Sequence, residues 1–300
     1  MISICIPIFN HDVRDMVGRL MAQKNGIDEP IELVCIDDRS RDEVRIENRE
    51  IAKVCKYVEL EQNVGRSRIR NLFLKYVSAE CEYMIFMDCD LQVDDDCFLV
   101  NYVNEAKLDV PVVVGGHRYR KQVVDKNHKL HYIYGTKCET KTASERSEDS
   151  NRSFMTGNFM IKKTLLSAIR FDERLKGYGH EDTLFGYRLK QKGVEVKHID
   201  NPLWVQDLDE NKIFMNKTEV SVRNLWKIVN WVNEKDFEQQ VSLMSFYRKV
   251  EKMHLKGLIG MIYGLGHRWM RRRFDLGCGN MLLLKLYKLG LLIDVADESC

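Results

Sequence analysis

Along the first 120 residues, short apolar runs alternate with stretches whose apolar residues recur at helical spacing. The runs Ile2–Ile8, Ile31–Ile36, Tyr57–Leu60, Tyr83–Met87 and Val112–Val114 are rich in β-branched or aromatic residues and end in polar or turn residues. That pattern predicts strands. Val13–Gln23, Glu43–Cys55 and Arg66–Val77 predict helices; in the last, Ile69, Leu72, Phe73 and Tyr76 fall at i, i+3, i+4 and i+7. Such alternation predicts an α/β fold, with a mostly parallel central sheet flanked by helices on both faces. Farther on, Phe154–Lys163 predicts a strand interrupted at Gly157 and Asn158, and a helix follows Glu181. From Lys217 the pattern is helical, with Leu225, Ile228, Val229 and Val232 on one face. Residues Lys137–Arg152 carry almost no apolar side chain and predict either a solvated loop or a mobile substrate lid. No internal repeat is present.

Ligands of such sheets bind at the carboxyl ends of the strands, so the strand ends matter most. The first ends in Pro7, Ile8, Phe9 and Asn10, the second in Asp37, Asp38, Arg39 and Ser40, and the fourth in Asp88, Cys89 and Asp90. Two carboxylates one residue apart suit a hard divalent cation that keeps waters and shares phosphate oxygens with a ligand. Asp94–Asp96 read better as helix-capping acids. A second constellation runs Gly177, Tyr178, Gly179, His180, Glu181, Asp182. It reads equally as a helix start decorated with favourable acids or as a carboxylate poised as general base.

Composition narrows the classes. Forty-seven Lys and Arg against 45 Asp and Glu give a net charge of +2, too little for a global grip on nucleic acid. The balance hides two opposed regions: Glu80–Asp109 holds nine acids and one base, whereas Arg248–Lys288 holds ten Lys or Arg and two acids. The nine cysteines form no C-x-x-C pair and fit a reducing compartment. With no signal-peptide pattern and no run of 18 apolar residues, the expectation is a cytoplasmic protein.

Taken in order, Pro7 to Asn10, Asp37 to Ser40, Asn63 to Gly65 with Arg70 and Asn71, Asp88 to Asp90, Thr156 to Asn158, and Gly177 to Asp182 resemble family-2 glycosyltransferases of the GT-A fold. The stretch from Ile169 to Pro202 is similar to bacterial members, and the glycine-rich motif resembles the galactosyltransferase-like G-[WY]-G-x-E-D pattern. The resemblance covers residues 1–215 as a catalytic domain and leaves 216–300 as a helical, basic and amphipathic extension. It implies a metal-dependent, inverting transfer from a UDP-sugar to a glycan or lipid-linked acceptor in bacterial surface polysaccharide synthesis, with no nucleic-acid partner. It further implies that Asp38 accepts from the uracil N3–H, with Pro7, Phe9, Asn10, Arg70, Asp88 and Asn158 around the nucleotide-sugar. Asp90, with Asp88, would hold Mn²⁺ or Mg²⁺. Asp182 would be the general base, with Glu181 and Tyr178 on the acceptor.

Two positions depart from the family pattern. Arg39 stands where a glycine is common, and Val205 stands where a metal-binding histidine often follows the Asn201–Pro202 pair, which leaves His198 as a candidate third ligand. Rival readings are a nucleotidyltransferase, which would carry a Gly-rich basic loop that residues Asn10–Arg14 lack, and a silent nucleotide-binding scaffold at a membrane. In the tail, residues 255–293 pair apolar stripes with Arg268, Arg271, Arg272 and Arg273. They predict either a packed helical subdomain or a segment lying on the inner face of an anionic membrane.

Overall fold

The computed structural model describes residues 1–298, so Cys300 lies outside the described residues. The chain forms two compact units. One comprises residues 1–120, 140–176 and 188–207; the other comprises 121–139, 177–187 and the chain from Leu208 onward. A single cut at residue 215 therefore misses three segments, 121–139, 177–187 and 208–215, that belong with the C-terminal helices. The reason is visible in local bonds: the Leu130 N–H donates to Asn211 Oδ1 at 2.9 Å, and Gly179 lies so close to Ser221 that a Cβ would fall 2.6 Å from it.

The first unit contains β1 (Ile2–Ile8), α1 (Arg14–Lys24), β2 (Ile31–Asp37), α2 (Asp42–Asn48), β3 (Lys56–Glu59), α3 (Arg66–Tyr76), β4 (Tyr83–Met87), β5 (Leu91–Gln92), α4 (Phe98–Lys107), β6 (Val112–Val114) and β7 (His117–Arg118). After α5 (Lys129–Tyr134), which belongs to the second unit, come α6 (Ala143–Ser147), β8 (Asn158–Lys162) and α7 (Lys163–Ile169). Helix α8 (Glu181–Gln191) precedes β9 (Lys197–His198) and β10 (Leu203–Val205).

Seven strands form one sheet in the order β3-β2-β1-β4-β8-β6-β9. Its pairs are parallel except those of β8, which runs antiparallel to β4 and β6. The sheet is thus mostly parallel and flanked by helices, as the alternation predicts. Strands β1 and β2 are apolar almost throughout because helices cover both faces. Pro7 is tolerated in β1 because the β1–β4 ladder ends at Cys5–Phe86, before the missing N–H matters on that side. A second, three-stranded sheet runs β5-β10-β7. In it Val205 pairs with Leu91, which carries the chain after Pro202 back to the end of β4.

Residues Lys137–Arg152 are mostly exposed, as the solvated reading expects, but they are not all loop. Ala143–Ser147 form α6, opened by a capping box between Thr142 and Glu145, and Arg146 and Asn151 are buried. Arg146 donates to His198 Nδ1 (3.1 Å) and to the carbonyls of Lys141, Gly115 and Ile199. A mostly exposed polar stretch thus also supplies one internal hydrogen-bond hub, which composition cannot distinguish from solvation.

The second unit continues with α9 (Asn211–Val232), α10 (Lys235–Gln240), α11 (Ser242–Lys252), α12 (Lys256–Asp275) and α13 (Met281–Asp297). Helix α13 is buried from Leu284 to Ala296 on most of its surface, so that part of the run packs as core, while Leu282 at its start is exposed. Gly290 permits this packing: a Cβ there would lie 2.5 Å from the Tyr263 ring of α12.

Replacing Arg146 by Met keeps most of the volume but strands four acceptors. We expect a loss of about 2–4 kcal/mol, read as a lower urea midpoint; an unchanged midpoint would mean that solvent already serves those carbonyls.

Candidate active site

The carboxyl ends of β1, β2 and β4 lie side by side because those strands are sheet neighbours. The loops after β1 and β2 brace each other: the Asn10 N–H donates to Ser40 Oγ (2.8 Å), and the Arg41 N–H donates to Asn10 Oδ1 (2.8 Å). Arg39 adopts φ of 65°, the left-handed conformation that explains why glycine suits this position. Asp38 is buried and receives the N–H groups of Val64 (2.7 Å) and Gly65 (3.0 Å) on its two oxygens. Burial raises its proton affinity above the ordinary range, against the opposing pull of those two amides. Each oxygen retains a second lone pair for a ligand donor. Phe9, 52% exposed, stands at the end of β1 beside the partly buried Pro7.

Helix α3 begins at Gly65, whose φ is 83°, and sends two arginines to the end of β4. Arg70 is only 1% exposed; its Nη2 donates to Asp88 Oδ1 at 2.6 Å. Arg66 Nη2 reaches Asp88 Oδ2 at 3.3 Å. Arg70 thus positions Asp88 rather than opening onto solvent. Burial favours protonating Asp88, but the two guanidinium charges outweigh it and hold the carboxyl below the usual range. Asp90 behaves oppositely. One side of it is open to solvent, yet the protein crowded around it and the Asp88 charge push its carboxyl up.

One carboxylate fixed by arginine and a second, outward one lacking comparable compensation fit a cation that needs few protein ligands. Among the described residues, no group of three His, Cys, Asp or Glu gathers at one point. His198 in particular is spent elsewhere. Its Nδ1 accepts from Arg146 and its Nε2 bonds the Ser150 carbonyl at 2.8 Å, which leaves the ring structural. Asn158, expected at the nucleotide-sugar, is fully buried. Its Oδ1 accepts from the Tyr102 hydroxyl and its Nδ2 donates to the Gly116 and Asn201 carbonyls, so it braces the loops instead of facing a ligand. The adjacent Gly157 is the closer neighbour of the acids: a Cβ there would lie 3.3 Å from Asp88 Oδ2.

Sequence reasoning missed the residues brought to this place by β10. The Gln206 N–H donates to the Asp90 carbonyl (3.3 Å), and Asp207 pairs with His11 at 3.5 Å. His11 lies near enough to Asp90 to favour its charged form. Its signal was only its place after strand one.

In the second unit, Gly177, Gly179 and His180 all have positive φ, between 67° and 97°. This turns the backbone sharply into α8 and sets Tyr178, 38% exposed, at the crest. Asn224 holds the Tyr178 carbonyl at 3.1 Å, and Lys217 lies 5.4 Å from its ring. Glu181 is buried and accepts the Gly179 N–H at 3.1 Å; Asp182, in the first helical turn, accepts the Thr183 N–H. Burial first, then repulsion from Lys288 of α13, pushes His180 down to about 4, with Glu181 opposing. Lys288 therefore belongs to the surroundings of this motif. Its hint in the sequence is a lysine inside the apolar run of α13.

Comparisons with known proteins bear on the family and the fold. The family model "Glycosyl transferase family 2" matches residues 3–170. The chain is 27% identical over 236 residues to chondroitin synthase of Pasteurella multocida, covering 66% of this chain and 24% of that protein. It is 28% identical over 215 residues to the minor teichoic acid biosynthesis protein GgaA of Bacillus subtilis, covering 64% and 44%. The chain thus spans less than half the length of either relative. Among solved structures, glucosyl-3-phosphoglycerate synthase of Mycobacterium tuberculosis with Mg²⁺ and uridine diphosphate superposes with a TM-score of 0.51 at 17% identity, over 76% of this chain and 78% of that one. That likeness shows the fold.

A neutral His180 makes stability depend on pH. Unfolded, it binds a proton near 6.5; folded, near 4. Stability is then full above about 6.5 and falls as pH drops toward about 4, by roughly 1–2 kcal/mol after allowance for partial exposure. His180→Asn, which tolerates the left-handed backbone, should flatten that part of the pH profile of thermal unfolding. An identical slope in the variant would remove His180 as its source.

Proposed function

The chain belongs to glycosyl transferase family 2, and on that footing we propose that it is a metal-dependent, inverting glycosyltransferase using a UDP-sugar. The acceptor is a hydroxyl of a glycan or lipid-linked saccharide in bacterial surface polysaccharide synthesis, met in the cytoplasm or at the inner face of the membrane. The observation that carries this reading is the unequal pair at the end of β4: Asp88 locked by two arginines, Asp90 turned outward with its proton affinity raised. The relatives' names support it, since one makes chondroitin, another serves teichoic acid synthesis, and solved structures of a third contain uridine diphosphate with Mn²⁺ or Mg²⁺.

Asp38 accepts the uracil N3–H, and Pro7 and Phe9 flank the base. Asp90, backed by Asp88, would hold Mn²⁺ or Mg²⁺, which when bound would neutralise charge gathering on the departing diphosphate. Tyr178 and Glu181 orient the acceptor. Asp182 takes the proton of the acceptor hydroxyl as its oxygen bonds the anomeric carbon. The bond from that carbon to the diphosphate oxygen breaks, its electron pair leaves with UDP, and in-line attack inverts the configuration. His198 and Asn158 take no part in this scheme.

Asp182→Asn should lower transfer by at least about a thousandfold, within the range of a lost general base and its alignment, while UDP affinity is unchanged. Loss of UDP affinity in that variant would place Asp182 with the nucleotide. Asp90→Ala should abolish the Mn²⁺-dependent part of UDP binding in a calorimetric titration; an unaltered titration would remove the metal from Asp90. Turnover across a panel of UDP-sugars identifies the donor.

A further inference from the structure

Along α12, Leu258, Met261, Ile262, Leu265 and Trp269 fall at i, i+3, i+4, i+7 and i+11, so they share one face. All five are exposed, Leu265 at 84% and Trp269 at 60%. The opposite face is the buried one, formed by Tyr263, Met270 and Phe274. A helix on a globular surface ordinarily turns its polar side to water. This one turns an apolar stripe outward and ends it in arginine.

Arg268, Arg272 and Arg273 are exposed at the C-terminal end of that stripe, with the Arg273 guanidinium 5.9 Å from the Trp269 ring. Arg271 points elsewhere: it bonds Glu219, Asp275 and Asn216 within the unit. Asp275 is the one acid of α12, and Arg271 engages it. At the N-terminal end, Lys252 and His254 are exposed. Arg268 and Arg272 also border a cleft of about 520 Å³ of mixed charge, in which Glu219, Asp275 and Asp294 face Arg223 and Arg271, so the exposed edge of α12 and not that cleft carries the excess positive charge. Guanidinium groups that suit phosphate oxygens thus stand directly beside exposed apolar side chains.

We infer that α12 lies in the plane of a membrane surface rich in anionic phospholipid. Its apolar stripe sits at the acyl boundary and Arg268, Arg272 and Arg273 meet the headgroup phosphates, an arrangement in which burial and charge attraction add. No helix among the described residues is long and apolar enough to cross a membrane, so α12 lies along the surface. Charge selects lipid over a second copy of the chain. Two copies joined through this face in parallel would set arginines against arginines. Joined antiparallel, they would set arginines against Lys252 and His254. An anionic sheet complements both ends at once. The inference does not depend on the chemistry assigned to Asp90 or Asp182.

The test is co-sedimentation of the full chain with vesicles of phosphatidylcholine alone or mixed with phosphatidylglycerol. We expect binding to the mixed vesicles that weakens with salt. The Leu265→Glu, Trp269→Glu double variant should reduce the partition coefficient more than about tenfold. Replacing Arg268, Arg272 and Arg273 by Gln should remove the preference for anionic vesicles, with thermal unfolding midpoints of both variants confirming intact folds. Equal pelleting of the native chain and the double variant overturns the proposal. So does a native dimer, seen by sedimentation velocity without vesicles, that the double variant converts to monomer; the face would then be a protein interface.

Discussion

The contact between Arg70 and Asp88 governs the organisation of the first unit's strand ends. A guanidinium as buried as that of Arg70 must meet a charge, because an unpaired cation in such a place costs several kcal/mol. Asp88 answers it, which fixes the end of β4 against α3, and α3 in turn starts at Gly65, the residue whose amide holds Asp38. One ion pair therefore ties together two strand ends, those of β2 and β4. It also divides labour between two acids that look alike in the sequence. Asp88 belongs to the arginines, and the excess negative charge falls on Asp90.

Much of the sheet was legible in the sequence because its strands are local and apolar. Ile2–Ile8, Tyr83–Met87 and Val112–Val114 occupy the expected residues, and α3 ends one residue early. The antiparallel course of β8 was not legible, since direction depends on what lies beside a strand and not on its composition. The Glu43–Cys55 helix divides into α2 and a 3₁₀ turn, Arg49–Lys53. Its apolar residues give no warning of that change in winding.

Polar residues were harder to read than apolar ones, and for one physical reason. Asn158, Arg146 and His198 serve each other's loops across tens of residues: Arg146 bonds His198 52 positions away, and Asn158 bonds Asn201 43 positions away. A buried polar side chain and a ligand-binding one need the same hydrogen-bonding atoms. Only its partners separate the two. The same ambiguity hid His11, whose neighbour Asp207 arrives from the far end of the unit. Asp38 and Asp90 were easier because a strand tip leaves fewer roles open.

The loop ahead of α8 has a consequence for how such a protein diverges. Its course is set by the left-handed residues Gly177, Gly179 and His180, and by the grip of Asn224 on a backbone carbonyl. Tyr178 contributes its side chain to the surface while its neighbours fix the path of the chain. A change at that one codon can therefore present a different ring, or none, on an unaltered scaffold. Selection could retune what this crest greets without first having to rebuild it.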